Sequence, residues 1–106
     1  GIRRSNGYSQ SRLVQLVGVL SYFGEIDLRT KDIYVAVSNG LYTDDISVEL
    51  AFANSILSSF YGKALVKKAY GEVRLNGKIN NGNLDGKSID HIDDLIKLYK
   101  EGSFHV

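Results

Sequence analysis

The sequence predicts an α+β fold in the order helix, hairpin, helix, hairpin, helix. Three observations carry that reading. Apolar residues recur at helical spacing in three separate stretches, β-branched or alternating runs lie between them, and glycines or polar clusters punctuate the joins. The chain has 106 residues, 43% hydrophobic and 24% charged, which is the size and make-up of one globular domain and argues against disorder. A chain of this length buries roughly two-thirds of its unfolded surface, enough for one core.

Residues 1–10 are polar and basic, lack periodicity, and are read as a flexible basic arm ahead of a domain over residues 11–106. Leu13, Leu16, Val17 and Leu20 then fall on one helical face, with Ser9 or Ser11 to cap the start and Gly24 to end it in a left-handed conformation. Ile26 and Leu28 alternate with Glu25, Asp27 and Arg29. After the turn Thr30-Lys31-Asp32, the run Ile33-Tyr34-Val35-Ala36-Val37 completes a hairpin. Asn39-Gly40 marks a turn, and Thr43-Asp44-Asp45 supplies a cap and an acidic first turn to a second helix. Its apolar face is Ile46, Leu50, Ala53, Leu57 and Phe60, and Gly62 closes it. Residues 64–70 and 72–78 read as a second hairpin around Gly71, residues 80–86 as a glycine- and asparagine-rich loop. Ser88 then caps a last helix with the stripe Ile89, Ile92, Leu95, Ile96 and Tyr99, ended by Gly102 and followed by a short tail.

Composition removes several function classes. Without cysteine there is neither a disulfide framework nor thiolate chemistry, and two histidines, His91 and His105, do not make a structural zinc site. The run from Leu13 to Phe23, interrupted by Gln15, Gly18 and Ser21, is too short to span a bilayer, so no membrane partner is expected. Net charge is only +1, but it is segregated: Lys63, Lys67, Lys68, Arg74 and Lys78 face Glu72 alone, whereas Asp85, Asp90, Asp93 and Asp94 make the following stretch acidic. Segregation of this kind gives a nearly neutral chain a local positive field. The acidic group around His91 is read as a solvated helix start rather than a metal cluster.

The stretch Leu16-Val17-Gly18-Val19-Leu20-Ser21-Tyr22-Phe23-Gly24 has two glycines six apart, joined by aliphatic residues and followed by strand-like alternation. It resembles the LAGLIDADG motif of homing endonucleases and maturases: Leu16, Gly18 and Gly24 match the motif letters, Val17, Val19 and Leu20 are conservative, and the order of elements over residues 11–101 is the same. The resemblance implies an αββαββα half-domain with a four-stranded antiparallel saddle-like sheet and helices on one face. It further implies that the motif helix packs against a second copy (a homodimer) or a second half-domain, with Leu16, Gly18, Val19 and Gly24 at the helix-packing interface. In that family the residue before the last glycine is a metal-binding acid. Here it is Phe23, and the other commonly acidic position is Ser21. A phenyl ring cannot coordinate Mg²⁺, so the resemblance implies a catalytically inactive protein with no metal and no cofactor.

What the resemblance leaves is binding. It places the sheet in a nucleic-acid groove, with Arg29, Lys67, Lys68, Arg74, Asn76 and Lys78 as contacts. Ribbons fit the major groove, and Arg and Asn match base edges. Tyr34 and Tyr70 are positioned to stack on unpaired bases. The expected function is a nucleic-acid-binding protein, DNA or RNA, as a ribonucleoprotein component (an organellar ribosome) or a splicing factor. The alternatives are a protein-interaction subunit of a larger assembly and a residual Mg²⁺-dependent endonuclease using Glu25. The Ile, Asn, Lys, Ser and Tyr bias suits an AT-rich genome and points to an intracellular, mitochondrial setting.

Overall fold

The computed structural model describes residues 1–37 and 45–102. Its elements are β1 (Arg3–Asn6), α1 (Gln10–Gly24), β2 (Ile33–Ala36), a 3₁₀ turn (Ile46–Val48) running into α2 (Glu49–Tyr61), β3 (Ala69–Val73), β4 (Lys78–Leu84), β5 (Lys87–His91) and α3 (Ile92–Glu101). The class is α+β as expected, but the described residues form no four-stranded saddle. Among the described residues, β1 and β2 form a parallel pair, and β3-β4-β5 form a separate antiparallel meander. The turn at Asn39-Gly40, the caps Thr43 and Asp44, and the tail with His105 lie outside the described residues.

Each difference from the sequence reading has a local cause. Arg3–Asn6, inside the segment read as an arm, is a strand held by backbone pairing with Ile33–Ala36 and by side-chain bonds at and around it. Asp32 accepts from the Ile2 amide at 2.8 Å, Gln10 accepts from the Ser5 amide at 3.0 Å, and the Arg3 guanidinium donates to the Leu28 carbonyl at 2.6 Å. That pairing takes up the edge of Ile33–Ala36, with Arg3 opposite Ile33 and Asn6 opposite Ala36. The first expected hairpin is therefore absent, and residues 25–32 are the irregular end of a β1-α1-β2 crossover, the connection a parallel pair requires. Ser9 caps α1 as expected, its hydroxyl accepting from the Arg12 amide. The left-handed residue after the helix is Glu25, with φ 52°, rather than Gly24.

The second half shifts by one element. The segment 80–86, read as a loop, belongs largely to β4, and the turns fall on Asn76-Gly77 and Asp85-Gly86, the dipeptides that favour tight hairpins. Gly77 has φ +84°, and a Cβ there would lie 2.7 Å from the His91 ring. Gly82, which reads as loop composition, is a close-approach glycine: a Cβ would sit 2.4 Å from the Ile89 carbonyl oxygen. Ser88 and Ile89 consequently lie in β5. The cap of α3 is His91, whose Nδ1 accepts from the Asp93 amide at 3.1 Å.

The core gathers Leu13, Leu16, Val17 and Leu20 of α1, Leu50, Ala53 and Leu57 of α2, the inner face of the meander (Val73, Ile79, Leu84, Ile89), and Ile92, Leu95, Ile96 and Tyr99 of α3. The meander thus buries one face and leaves the other to solvent, the usual state of an antiparallel sheet. No helix among the described residues is long and apolar enough to cross a membrane.

Candidate nucleic-acid interface

The solvent face of β3–β4 follows from alternation at the Val73–Lys78 end, before an irregularity at Asn80-Asn81, both exposed and Asn81 with φ 54°, shifts the register. On β3, Gly71 and Val73 are buried while Tyr70, and Arg74 just past the strand, are exposed; on β4, Ile79 is buried while Lys78 and Asn80 are exposed. The outer surface thus carries Tyr70 on β3 and Lys78 and Asn80 on β4, with the exposed Lys68 just before β3 and Arg74 just after it. Glu72 is the one acid among them; it accepts from the Asn80 side-chain amide at 2.8 Å and lies 3.8 Å from Arg12. From Lys68 to Arg74 the extended chain covers about 20 Å, close to six base-pair steps along a duplex axis.

Two turns fix the ends of this surface. At one end the Arg74 amide bonds the Lys78 carbonyl, the Gly77 amide bonds the Arg74 carbonyl, and the Asn76 side chain accepts from the Lys78 amide at 3.0 Å. At the other, the Asp85 carboxylate accepts from the Lys67 and Lys68 amides at 3.1 and 2.8 Å. Those amides hold its pKa below the ordinary carboxylate value, the Lys68 amide contributing most. The backbone of Lys67 and Lys68 is thus pinned, while their ammonium groups remain in solvent.

Beneath the hairpin lies a buried charge cluster that sequence reading missed. Glu49, the first residue of α2, is only 2% exposed. It accepts from Arg12 Nε at 2.7 Å, Arg12 Nη2 at 2.8 Å, the Val73 amide at 3.1 Å and the Tyr8 hydroxyl. Burial first, then the hydrogen bond and charge of Glu49, push the Tyr8 hydroxyl up, and the Glu49 hydrogen bond likewise raises Arg12. The cluster ties α1, α2 and β3 together and so sets how the hairpin sits on the helices. Its one sequence signal was an acid and a base each standing in an apolar helical stripe.

The remaining expected site residues are distributed as follows. Arg29 lies away from the hairpin, in the 25–32 segment, where it bonds Asp27 twice at 3.0 Å; with the Arg29 bond as main cause, the Asp27 pKa falls to about 2. Ser21 bonds back to the Val17 carbonyl at 2.8 Å, and Phe23 packs edge-on against Tyr22 and His91, so both are structural within this chain. Leu16, Val19 and Gly24 are buried in the chain's own core. Gly18 is exposed, with nothing within 4 Å of where a Cβ would stand. It opens onto a depression of about 560 Å³ lined by Gln15, Val19, Tyr22, Phe23, Leu75 and Asn76. Asp90 lies in β5 and Asp94 in α3, so they do not share a helical face, and no group of three or more His, Asp or Glu among the described residues is placed to hold a metal ion.

No family model matches the chain. It is similar to the DNA repair protein RadA of Helicobacter pylori, 38% identical over 79 residues, covering 73% of this chain and 18% of that protein. It is also similar to RadA of Campylobacter jejuni, 35% identical over the same length, and of Chlamydia muridarum, 30% identical over 98 residues, 91% of this chain and 20% of that protein. The chain therefore spans about a fifth of the length of the curated relatives it matches. These findings overturn the LAGLIDADG resemblance and, with it, the homing-endonuclease, ribonucleoprotein, ribosomal and mitochondrial expectations. The motif match rested on an apolar helix with two glycines, of which one is buried against α3 and the other stands open. Across most of its length this chain is similar to one part of DNA repair protein RadA.

Proposed function

We propose that this chain is a nucleic-acid-binding segment with a role in DNA repair, and that it meets DNA through the outer face of β3–β4. The observation that carries the reading is the gathering of Lys68, Arg74 and Lys78, with Tyr70, Asn76 and Asn80, around the solvent side of β3–β4, strands whose one acid, Glu72, is already engaged, while Asp90 stands on the neighbouring β5. Similarity to proteins named for DNA repair supplies the polymer. Lysines attract phosphates without reading sequence, while Arg74 and Asn76 at the turn have the side chains suited to base edges. The role is binding; no step of chemistry is assigned to the chain.

Fluorescence anisotropy of labelled duplex DNA tests this. Affinity should fall steeply as salt rises from about 50 to 200 mM, and Arg74→Ala or Lys78→Ala should each reduce the slope of log affinity against log salt by about one. Salt-independent binding, or slopes unaltered by both variants, refutes it. A second reading, contact with another protein, is favoured by the apolar depression beside Gly18, where Tyr22 is 76% and Leu75 69% exposed. Such a contact would resist salt and be blocked by Gly18→Leu, which fills the depression.

A further inference from the structure

We infer that the groove between β2 and α2 takes an unpaired base of single-stranded DNA, an inference that rests on the nucleic-acid reading above and adds a second, strand-selective subsite to it. The groove, about 330 Å³, is lined by Lys31, Tyr34, Ser55, Ile56, Ser59 and Phe60, with Leu28 at its floor. Two features make it a stacking site. Tyr34 is 63% exposed and its ring meets no other ring among the described residues, and Phe60 lines the same groove with its ring held edge-on by Tyr61 at 5.1 Å. An exposed aromatic costs little to hold a base and is sequence-tolerant, since every base has a π-face.

The polar groups around the rings point to the same occupant. The parallel register sets Arg4 directly beside Tyr34, so both side chains leave the same face of the strand pair. Arg4 and Lys31 form no ion pair and the hydroxyls of Tyr34, Ser55 and Ser59 no hydrogen bond with any described residue. Asp32 is the one acid in the lining, and its carboxylate accepts from the Ile2 amide at 2.8 Å, turned toward β1. The groove therefore offers Lys31 in its lining, with Arg4 beside Tyr34 on the neighbouring strand, to phosphate and a ring to a base. β2 also contributes backbone. Ile33 and Val37 donate to β1, at the Ile2 and Asn6 carbonyls, so the amide and carbonyl of Tyr34 face the opposite edge, on the groove side. A duplex, whose bases are stacked and paired, cannot present a base there without unpairing it.

The test compares oligothymidylate with a duplex, both 5′-labelled, on the whole 106-residue chain. Tyr34→Ala and Phe60→Ala should each weaken oligothymidylate binding at least about fivefold and duplex binding by less, and Tyr34→Phe should restore the single-strand affinity. An oligomer carrying 5-iodouracil should photocross-link the wild-type chain at Tyr34 or Phe60, a readout that needs no variant to fold. Unchanged oligothymidylate affinity in both alanine variants, equal losses on the two probes, or cross-links mapping only to β3–β4 would overturn the groove while leaving the hairpin face standing. Failure of the wild-type chain to bind either probe would overturn both.

Discussion

Glu49→Ala should be among the most damaging single changes available to this chain. The carboxylate is 2% exposed and receives four donors, from Tyr8, twice from Arg12, and from the Val73 amide. Removing it leaves the Tyr8 hydroxyl and the Val73 amide buried without a partner and leaves Arg12 only the more distant Glu72 carboxylate, at 3.8 Å. Breaking one side of a buried pair costs about 3–5 kcal/mol. The Arg12 side chain keeps 34% of its surface in water and retains Glu72 at 3.8 Å, which together soften the loss and place the cost near the lower figure. Against a total stability of about 5–15 kcal/mol for a domain this size, about 3 kcal/mol is a fifth to more than half. Urea unfolding followed by far-ultraviolet circular dichroism reads this directly as a lower midpoint at constant slope. Arg12→Ala combined with Glu49→Ala should cost less than the sum of the two, because each single change already removes the shared Arg12–Glu49 bonds. A Glu49→Ala midpoint equivalent to a loss below about 1 kcal/mol, or strict additivity with Arg12→Ala, would refute the cluster as the joint between the helices and β3.

Further outcomes follow from the same structure. Gly18→Ala should stabilise the chain by about 0.5–1 kcal/mol, since a methyl group enters open space on a helix that gains propensity; a lowered melting temperature would contradict the open placement. His91→Ala should cost about 1 kcal/mol through loss of the α3 cap, and His91→Asn should recover much of it, Asn being a better capping residue. Asp85 has a folded pKa below its unfolded value, so its contribution is present above about pH 4 and is lost as pH falls through the folded pKa. The stability difference between wild type and Asp85→Asn should accordingly be constant from pH 7 to 5 and shrink in acid. A difference that grew on acidification would reverse the sign of the argument.

Helix positions were readable because periodicity and burial agree: Leu13, Leu16, Val17 and Leu20, and Leu50, Ala53 and Leu57, face the core as their spacing requires. Strand pairing was not, because it depends on partners far along the chain. Nothing in Arg3-Arg4-Ser5-Asn6 marks a strand until Asp32, Gln10 and Ile33 supply its hydrogen bonds. In β4 the loop-like composition hid a strand whose inward residues, Ile79, Gly82 and Leu84, are spaced three and two apart because an extra residue at Asn80-Asn81 breaks the period, and its glycine serves a close backbone approach. Of the expected contacts, Arg74 and Lys78 come together because β3 and β4 pair and the Arg74 amide bonds the Lys78 carbonyl, and Lys68 stands exposed at the other end of β3. Arg29 does not join them, because the strand expected to carry it gives way to β1. The Glu49 cluster escaped notice because a buried charge is recognisable only when its partners, 37 and 41 residues away for Arg12 and Tyr8, are brought to it.

The central claim is that the outer face of β3–β4 meets DNA. Amide chemical-shift mapping of the ¹⁵N-labelled chain during titration with a short duplex tests it residue by residue. The account predicts that shifts concentrate at Lys68, Tyr70 and the Arg74–Lys78 turn, with the buried face of the meander and the exposed side of α3 little moved. Shifts centred on α3 or the Gly18 depression, or none at all at saturating duplex, would contradict it.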